Sequence, residues 1–375
     1  MNSFVSTYVI KTTNQCNMNC SYCYDKVRNA HVPAMTMSFD LVKKVICKIL
    51  EQKQEVVDFY WHGGEPLLLG CAFYEKVLEY QSKFNKSNIR ITNFIQTNGL
   101  LLDDHLIEFF TKYDFNIGIS IDGPPQINNS YRTIRNCSNT NLERHYRYTF
   151  DILKKVNAKY GIISVITPQS YNKAEEIFSY FLDMKIHSFA FLPLVIRTPD
   201  GHINAESSIK AENYGEFICR IFDIWLKNGD TSIAVREIDD CLRLIIGARP
   251  SLCYYKNSCD KYFTIMPNGY ITFCDSLVNS NEYSMGNINC KLQEIYSSEK
   301  YQSFLKNCKS IDNDCVCCAY YKYCYGYCFA TRDNKVSSRK KSYFCVAQKN
   351  IIDHIKKRIE GTDISSFIIK DPTLQ

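Results

Sequence analysis

The sequence predicts an α/β protein, a partial (β/α)6 barrel followed by a cysteine-rich region held together by metal. Three observations lead there. Short β-branched or aromatic runs alternate with amphipathic runs through the first half of the chain. Residues suited to chemistry fall just after the strand-like runs. The 19 cysteines are also uneven along the 375 residues: three lie at 16–23, five are scattered between Cys47 and Cys241, and the rest crowd the chain from Cys253 onward.

Strands are predicted at 4–12 (FVSTYVIKT), 56–61 (VVDFYW), 89–97 (IRITNFIQT), 116–121 (NIGISI), 160–166 (YGIISVI) and 188–194 (SFAFLPL). Each is short, rich in β-branched or aromatic residues, and bounded by polar or turn residues. Helices are predicted at 38–52, 71–84, 103–113, 141–157 and 172–185, where apolar residues recur every three to four positions. Ser38 and Asp103 read as N-caps with acidic residues in the following turn. Repeated strand–helix units imply a parallel sheet with right-handed crossovers, and such sheets carry their chemistry at the carboxyl ends of the strands. The loops there are the cysteine loop after the first strand, HGGEP (62–66) after the second, QTNG (96–99) at the third, SIDGPP (120–125) at the fourth and LPL (192–194) at the sixth. Residues 212–247 read as helical. From about residue 250 the chain is turn-rich and aromatic, with a hairpin expected over 262–275 turning at Pro267-Asn268-Gly269. The predicted domains are residues 1–235 for the barrel, 236–350 for the cysteine-rich domain, and 351–375 for a terminal helix and tail.

Apolar residues make up 45% of the chain, enough for a substantial core, and the net charge of +6 is mixed along its length. That balance does not resemble a nucleic-acid-binding tail. No apolar run approaches the length of a membrane span. The amino terminus reads as a strand and not as a signal peptide, so a cytoplasmic protein is expected. Nineteen cysteines in a reducing compartment point to metal ligation more than to disulfides.

The stretch CNMNCSYCY (16–24) places Cys16, Cys20 and Cys23 in the spacing C-x3-C-x2-C. A structural zinc site wants four ligands, usually as two C-x2-C pairs, and the nearest further candidate here is His31. Three thiolates on one loop instead match a cubane iron–sulfur cluster with one iron left open. With Tyr22 just before the last cysteine, this motif resembles the radical S-adenosylmethionine (SAM) enzymes. The resemblance implies that the open iron chelates the amino and carboxylate groups of SAM and that the reduced cluster cleaves it to a 5′-deoxyadenosyl radical. It also implies cofactor contacts. Gly63 and Gly64, with Glu65, match the loop that meets the SAM ammonium, glycine permitting close backbone approach. Ser120 and Asp122 suit ribose hydroxyls, and Arg132 the carboxylate. Gln96 and Asn98 line the pocket, or simply form a turn; Leu194 resembles the position whose backbone meets adenine. Tyr22 and Tyr24 are either pocket walls or core.

The carboxyl-terminal region resembles the SPASM domain of peptide-modifying radical enzymes, which holds two auxiliary iron–sulfur clusters. The run CVCCAYYKYCYGYC (315–328) gives C-x2-C-x5-C-x3-C at Cys315, Cys318, Cys324 and Cys328. The family's crossed pattern assigns Cys253, Cys259, Cys274 and Cys328 to one cluster and Cys315, Cys318, Cys324 and Cys345 to the other, with Cys317 offering an alternative register. Two zinc sites are the rival reading. Cys47, Cys71, Cys137, Cys219, Cys241, Cys290 and Cys308 fit no ligand pattern and are expected mostly as small buried hydrophobes. Asp275, directly after Cys274, matches the general base of sulfatase-maturing relatives; otherwise it is a turn aspartate.

The resemblance implies a radical SAM oxidoreductase with three 4Fe–4S clusters and SAM, fed by a flavodoxin- or ferredoxin-type donor and acting on a peptide. HGGEPLLLG and SIDGPP look most like maturases that crosslink side chains of ribosomally made precursor peptides into cyclophanes. The alternative is an anaerobic sulfatase-maturing enzyme that oxidises cysteine or serine to formylglycine. No separate leader-binding winged domain is expected before the first strand. A non-catalytic iron–sulfur carrier or a zinc-stapled scaffold would lack a reason for the SAM-facing loops.

Overall fold

The alternating pattern is realised as parallel strands with helical connections. The computed structural model describes residues 5–25, 32–136, 142–198, 201–277, 283–332 and 341–361. Its strands in chain order are β1 (Thr7–Lys11), β2 (Val56–His62), β3 (Arg90–Thr97), β4 (Asn116–Ser120), β5 (Lys159–Ile166), β6 (Ser188–Pro193), β7 (Ala234–Val235), β8 (Tyr262–Ile265), β9 (Tyr270–Thr272) and β10 (Ser284–Asn287). The chain forms two compact units: Met1–Ser120, Ser130–Tyr160 and Cys259–Asn307 make the first, and Ile121–Asn129, Gly161–Ser258 and Cys308–Gln375 the second.

In the first unit β1 to β4 are parallel neighbours in sequence order. Strand β2 alternates buried and half-buried residues, as a sheet covered by helices requires. The helix Phe39–Leu50 buries Val42, Val45, Ile46 and Ile49, and Ser38 caps it by accepting from the Leu41 N–H at 3.2 Å. Asp103 caps Asp104–Lys112 in the same way, accepting from the Leu106 N–H at 2.8 Å. Each predicted cap is present, and such caps contribute about 1 kcal/mol.

The other edge of β1 is covered from far along the chain. Strand β8 pairs with it in parallel, Thr7 opposite Tyr262. Strand β9 pairs antiparallel to β8, and β10 to β9. The predicted hairpin turn is present, with the Gly269 N–H donating to the Met266 carbonyl at 2.8 Å and Gly269 at φ +81°. Strand β1 (TYVIK) is buried on both faces, so an open edge there would be a site for unwanted pairing. The hairpin also shares the first unit's core: the Phe263 ring lies 6.3 Å from Tyr8, and Phe273 stacks on Phe304 at 3.6 Å. This part of the cysteine-rich stretch is therefore packed apolar structure, and metal is not its sole support.

In the second unit β5, β6 and β7 are parallel neighbours. The single helical reading of 212–247 is corrected. Ala211–Asn228 ends at Gly229, whose φ of +72° and N–H bond to the Trp225 carbonyl close the helix, and β7 then precedes a second helix, Arg236–Ile245. A glycine in the left-handed conformation is a common helix stop. Ala211–Asn228 packs on Cys345–Ile359 so closely that a Cβ at Gly215 would lie 3.0 Å from the Ala347 Cα. Among the described residues no helix is long and apolar enough to cross a membrane.

Candidate active site

The cysteine loop leaves β1 after Lys11 and is gripped from two sides within the first unit. On one side the exit of β2 lies along residues 13–15: the Gly64 N–H donates to the Thr13 carbonyl at 2.7 Å and the Glu65 N–H to the Gln15 carbonyl at 2.8 Å. A Cβ would lie 2.4 Å from the Thr13 oxygen at Gly63 and 2.0 Å from the Gln15 oxygen at Gly64; Gly63 also has φ +143°. The close approach these glycines permit is therefore to the chain's own backbone, just ahead of Cys16. Gly64→Ala is expected to cost about 3 kcal/mol, since neither main chain can yield. Thermal unfolding and iron retention will both fall below the parent's; a variant matching the parent in both refutes this packing.

On the other side, residues 131–135 run beside the loop. The Asn19 N–H donates to the Thr133 carbonyl at 2.7 Å, Ser21 N–H to Tyr131 at 2.9 Å, and Arg135 N–H to Asn17 at 2.9 Å. Arg132 is buried there and donates to the Tyr22 hydroxyl at 2.9 Å.

The three thiols converge. The Cys16 sulfur accepts from the Met18 N–H at 3.4 Å, and its pKa is pushed up to about 11, first by burial and then by Glu65, Cys20 and Cys23. Three cysteine sulfurs on one loop are a donor set for an iron cluster, whose positive metal favours the deprotonated forms. Asn98 backs this loop: its amide donates to the Asn17 side-chain oxygen at 2.7 Å and lies 3.7 Å from the Cys16 sulfur.

Glu65 is fully buried. Its carboxylate accepts from the Thr97 hydroxyl at 2.7 Å, the Leu67 N–H at 3.0 Å and the Asn98 N–H at 2.8 Å, so it ties the β2 loop to the end of β3. Burial raises its pKa, opposed by those donors and by Arg132. The side chain is committed internally, which leaves main-chain carbonyls as the acceptors this loop offers a ligand. Gln96 donates to the Ser120 hydroxyl at 2.9 Å, and its amide lies over Gly118, where a Cβ would meet the Gln96 oxygen at 2.2 Å. Nothing local in the sequence distinguishes Gly118.

In the second unit Asp122 is buried and accepts from the Val165 N–H at 3.0 Å, while its own N–H donates to the Asn128 side chain at 3.2 Å. The Leu194 N–H donates to the Ile166 carbonyl at 2.9 Å, and its carbonyl accepts from the Ile209 N–H at 3.1 Å. Both residues brace the strand-end loops of their own unit.

Asp275 enters a polar network that sequence reading missed. Lys11, the last residue of β1 and buried, contacts Asp275 at 2.9 Å and Asp25 at 3.0 Å and donates to the Tyr24 hydroxyl at 2.9 Å. The Tyr24 hydroxyl in turn donates to Asp275. His62 completes the set, its Nδ1 lying 3.3 Å from the Lys11 ammonium and accepting from the Gly63 N–H at 2.8 Å. Burial first, and Lys11 second, push the His62 pKa down to about 4, so the imidazole is neutral. A lysine closing a strand buried on both faces was the available signal.

In the second unit Cys315, Cys318, Cys324 and Cys345 line one pocket with Gly326, Tyr327 and Ser342, whereas Cys317 is exposed and outside that lining. The thiols surround a space and are not drawn around a point: among the described residues no three His, Cys, Asp or Glu are grouped to hold a single metal ion. A cubane fits such a space. The segment between Cys324 and Cys328 is left-handed at three consecutive residues, Tyr325 (φ +47°), Gly326 (φ +80°) and Tyr327 (φ +59°). For the two tyrosines this costs roughly 1–2 kcal/mol each. Of the other predicted ligands, Cys259 and Cys274 belong to the first unit, and Cys253 and Cys328 to the second. The expectation of mostly buried spare cysteines is corrected. Cys241 and Cys308 are buried, Cys47, Cys71 and Cys219 are half-buried, Cys290 is exposed, and Cys137 lies outside the described residues. The intermediate ones sit on the helices Phe39–Leu50, Gly70–Phe84 and Ala211–Asn228, at positions that do not face the core fully.

Comparison with known proteins gives two family matches: the radical SAM superfamily over residues 10–181, and an iron–sulfur cluster-binding domain, SPASM, over residues 253–324. The chain is 26% identical over 363 residues to a cysteine-type anaerobic sulfatase-maturating enzyme of Clostridium perfringens, covering 95% of this chain and 97% of that one. It is 29% identical over 363 residues to a serine-type anaerobic sulfatase-maturating enzyme of Bacteroides thetaiotaomicron, covering 91% and 86%. A solved structure described as native anSMEcpe with bound AdoMet and Kp18Cys peptide superposes with a TM-score of 0.84 at 25% identity, covering 95% of this chain and 98% of that one.

Proposed function

The chain belongs to the radical SAM superfamily, with a SPASM iron–sulfur domain, and from that premise we propose that it oxidises one cysteine or serine of a sulfatase to formylglycine. The observation that carries the reading is Asp275, a carboxylate fixed between Lys11 and Tyr24 directly after Cys274. Relatives of both cysteine and serine type, aligned over nine-tenths of the chain, support it. They favour it over the peptide crosslink that the HGGEPLLLG and SIDGPP loops suggested.

Cys16, Cys20 and Cys23 would hold the SAM-binding cubane, and Cys315, Cys318, Cys324 and Cys345, which line one pocket, would hold an auxiliary one. When bound, these groups and SAM supply the radical that takes one hydrogen atom from the substrate carbon and an acceptor for the electron left behind. The second hydrogen leaves the substrate's thiol or hydroxyl as a proton, and Asp275 takes it; serine then stands as the aldehyde, while cysteine stands as a thioaldehyde that water hydrolyses to the aldehyde with release of hydrogen sulfide. Lys11 and Tyr24 hold the Asp275 carboxylate in place. Neutral His62 adds no competing charge. Arg132 and the carbonyls of Gly63 and Gly64 receive the two ends of the SAM amino acid. A flavodoxin- or ferredoxin-type protein supplies the reducing electron.

The test is anaerobic incubation of the reconstituted protein with SAM, a reductant and a sulfatase-derived peptide carrying a central cysteine, with its serine counterpart in parallel. The expected product is an aldehyde on that single residue, captured by a hydrazine reagent and placed by fragment mass spectrometry. A product joining two side chains, with no hydrazine-reactive group, overturns the reading.

A further inference from the structure

Arg332 is buried, yet among the described residues its guanidinium donates only to main-chain carbonyls: Gly326 at 3.2 Å, Cys308 and Ser310 each at 3.0 Å, Tyr325 at 3.4 Å and Tyr327 at 3.0 Å. Among the described residues no carboxylate pairs with it. A buried cation with only dipoles for partners is costly unless an anion lies close by. Three of the five carbonyls belong to Tyr325, Gly326 and Tyr327, the left-handed turn between Cys324 and Cys328. Holding those carbonyls fixes the turn beside the four-cysteine pocket, which Gly326 and Tyr327 line, and the Tyr327 N–H closes the turn on the Cys324 carbonyl at 2.6 Å. A Cβ at Gly326, whose φ is +80°, would lie 3.0 Å from the Arg332 guanidinium, so a side chain there would push the arginine off its carbonyls. Arg332 is itself anchored beside the pocket by a bridge to Ser342, one of the lining residues.

The geometry points to Arg332 as a positioning residue for the cluster held by Cys315, Cys318, Cys324 and Cys345: it clamps the strained ligand turn and supplies the fixed positive charge that faces the thiolate cluster. Four thiolates on a cubane make an anion, and reduction adds a further negative charge. A nearby permanent cation therefore favours the reduced state and raises the potential, a lever set by charge and hydrogen bonds around the sulfurs. A guanidinium is suited to this because its planar fork reaches several carbonyls at once, which an ammonium does not.

The inference rests on the ligand assignment above, so the experiment tests both. Full-length parent, Cys315→Ala, Arg332→Gln and Arg332→Lys are reconstituted with iron and sulfide. Iron per chain, the rate of iron loss to a chelator, and a redox titration followed by electron paramagnetic resonance are measured without substrate. Cys315→Ala is expected to lower the iron content and identify the signal of this cluster; full iron in that variant overturns the ligand assignment and the inference with it. Arg332→Gln is expected to shift that signal to lower potential and release iron several-fold faster. Arg332→Lys is expected to keep the potential near the parent's but still release iron faster, which tests the clamp even if the glutamine variant does not fold. If Cys315→Ala loses iron while both arginine variants match the parent in potential and iron release, the inference alone is overturned.

Discussion

On the proposed reading, replacing Cys16, Cys20 and Cys23 together by alanine is expected to abolish SAM cleavage and to remove roughly four irons per chain, leaving iron bound at the later cysteines. The effect is all-or-none because the three thiols act as one ligand set. Burial pushes the Cys16 thiol up to about 11, so this ligand ionises usefully only when metal is present. The surrounding loop is held by main-chain bonds from residues 13–15 and 131–135, none of which passes through a thiol, so the fold survives the change. Iron and sulfide analysis with chromatography of 5′-deoxyadenosine checks the outcome. Residual cleavage in the triple variant would refute the site.

Asp275→Asn uncouples the enzyme. Aldehyde formation falls about a hundredfold or more, the scale of a lost general base, while SAM cleavage and iron content stay near the parent's. Asparagine keeps the shape but offers a single acceptor oxygen where Lys11 and Tyr24 use both carboxylate oxygens, and it cannot take up a proton. Lys11 retains Asp25 as a charged partner, so the network does not collapse. The ratio of 5′-deoxyadenosine to aldehyde product is the readout. Equal losses of both would make Asp275 a structural residue and remove the main support for sulfatase maturation.

Much of the fold was legible because its signals are local. The six long strands and the helices between them follow apolar periodicity, and Ser38 and Asp103 cap where their sequence says they should. The helical reading of 212–247 failed at Gly229 because the apolar pattern resumes on the far side of the stop. Strand β7 is two residues long and carries no periodicity of its own. At the site, legibility followed the same division. The candidate site residues were named from motifs, but their partners were not: Lys11, from the first strand, contacts Asp275, Asp25 and His62, and no motif marks Arg332.

By itself the sequence determined the parallel α/β architecture, the three-thiol loop after the first strand and the family, because periodicity, caps and cysteine spacing act over a few residues. Only the tertiary structure decided that Gly63 and Gly64 accommodate the chain's own backbone, that Glu65 spends its carboxylate on β3, that β8 closes the edge of β1, and that Lys11 grips Asp275. Those outcomes depend on which surfaces come within a few ångströms of each other, and contacts between segments far apart in the chain leave no periodic trace in either segment.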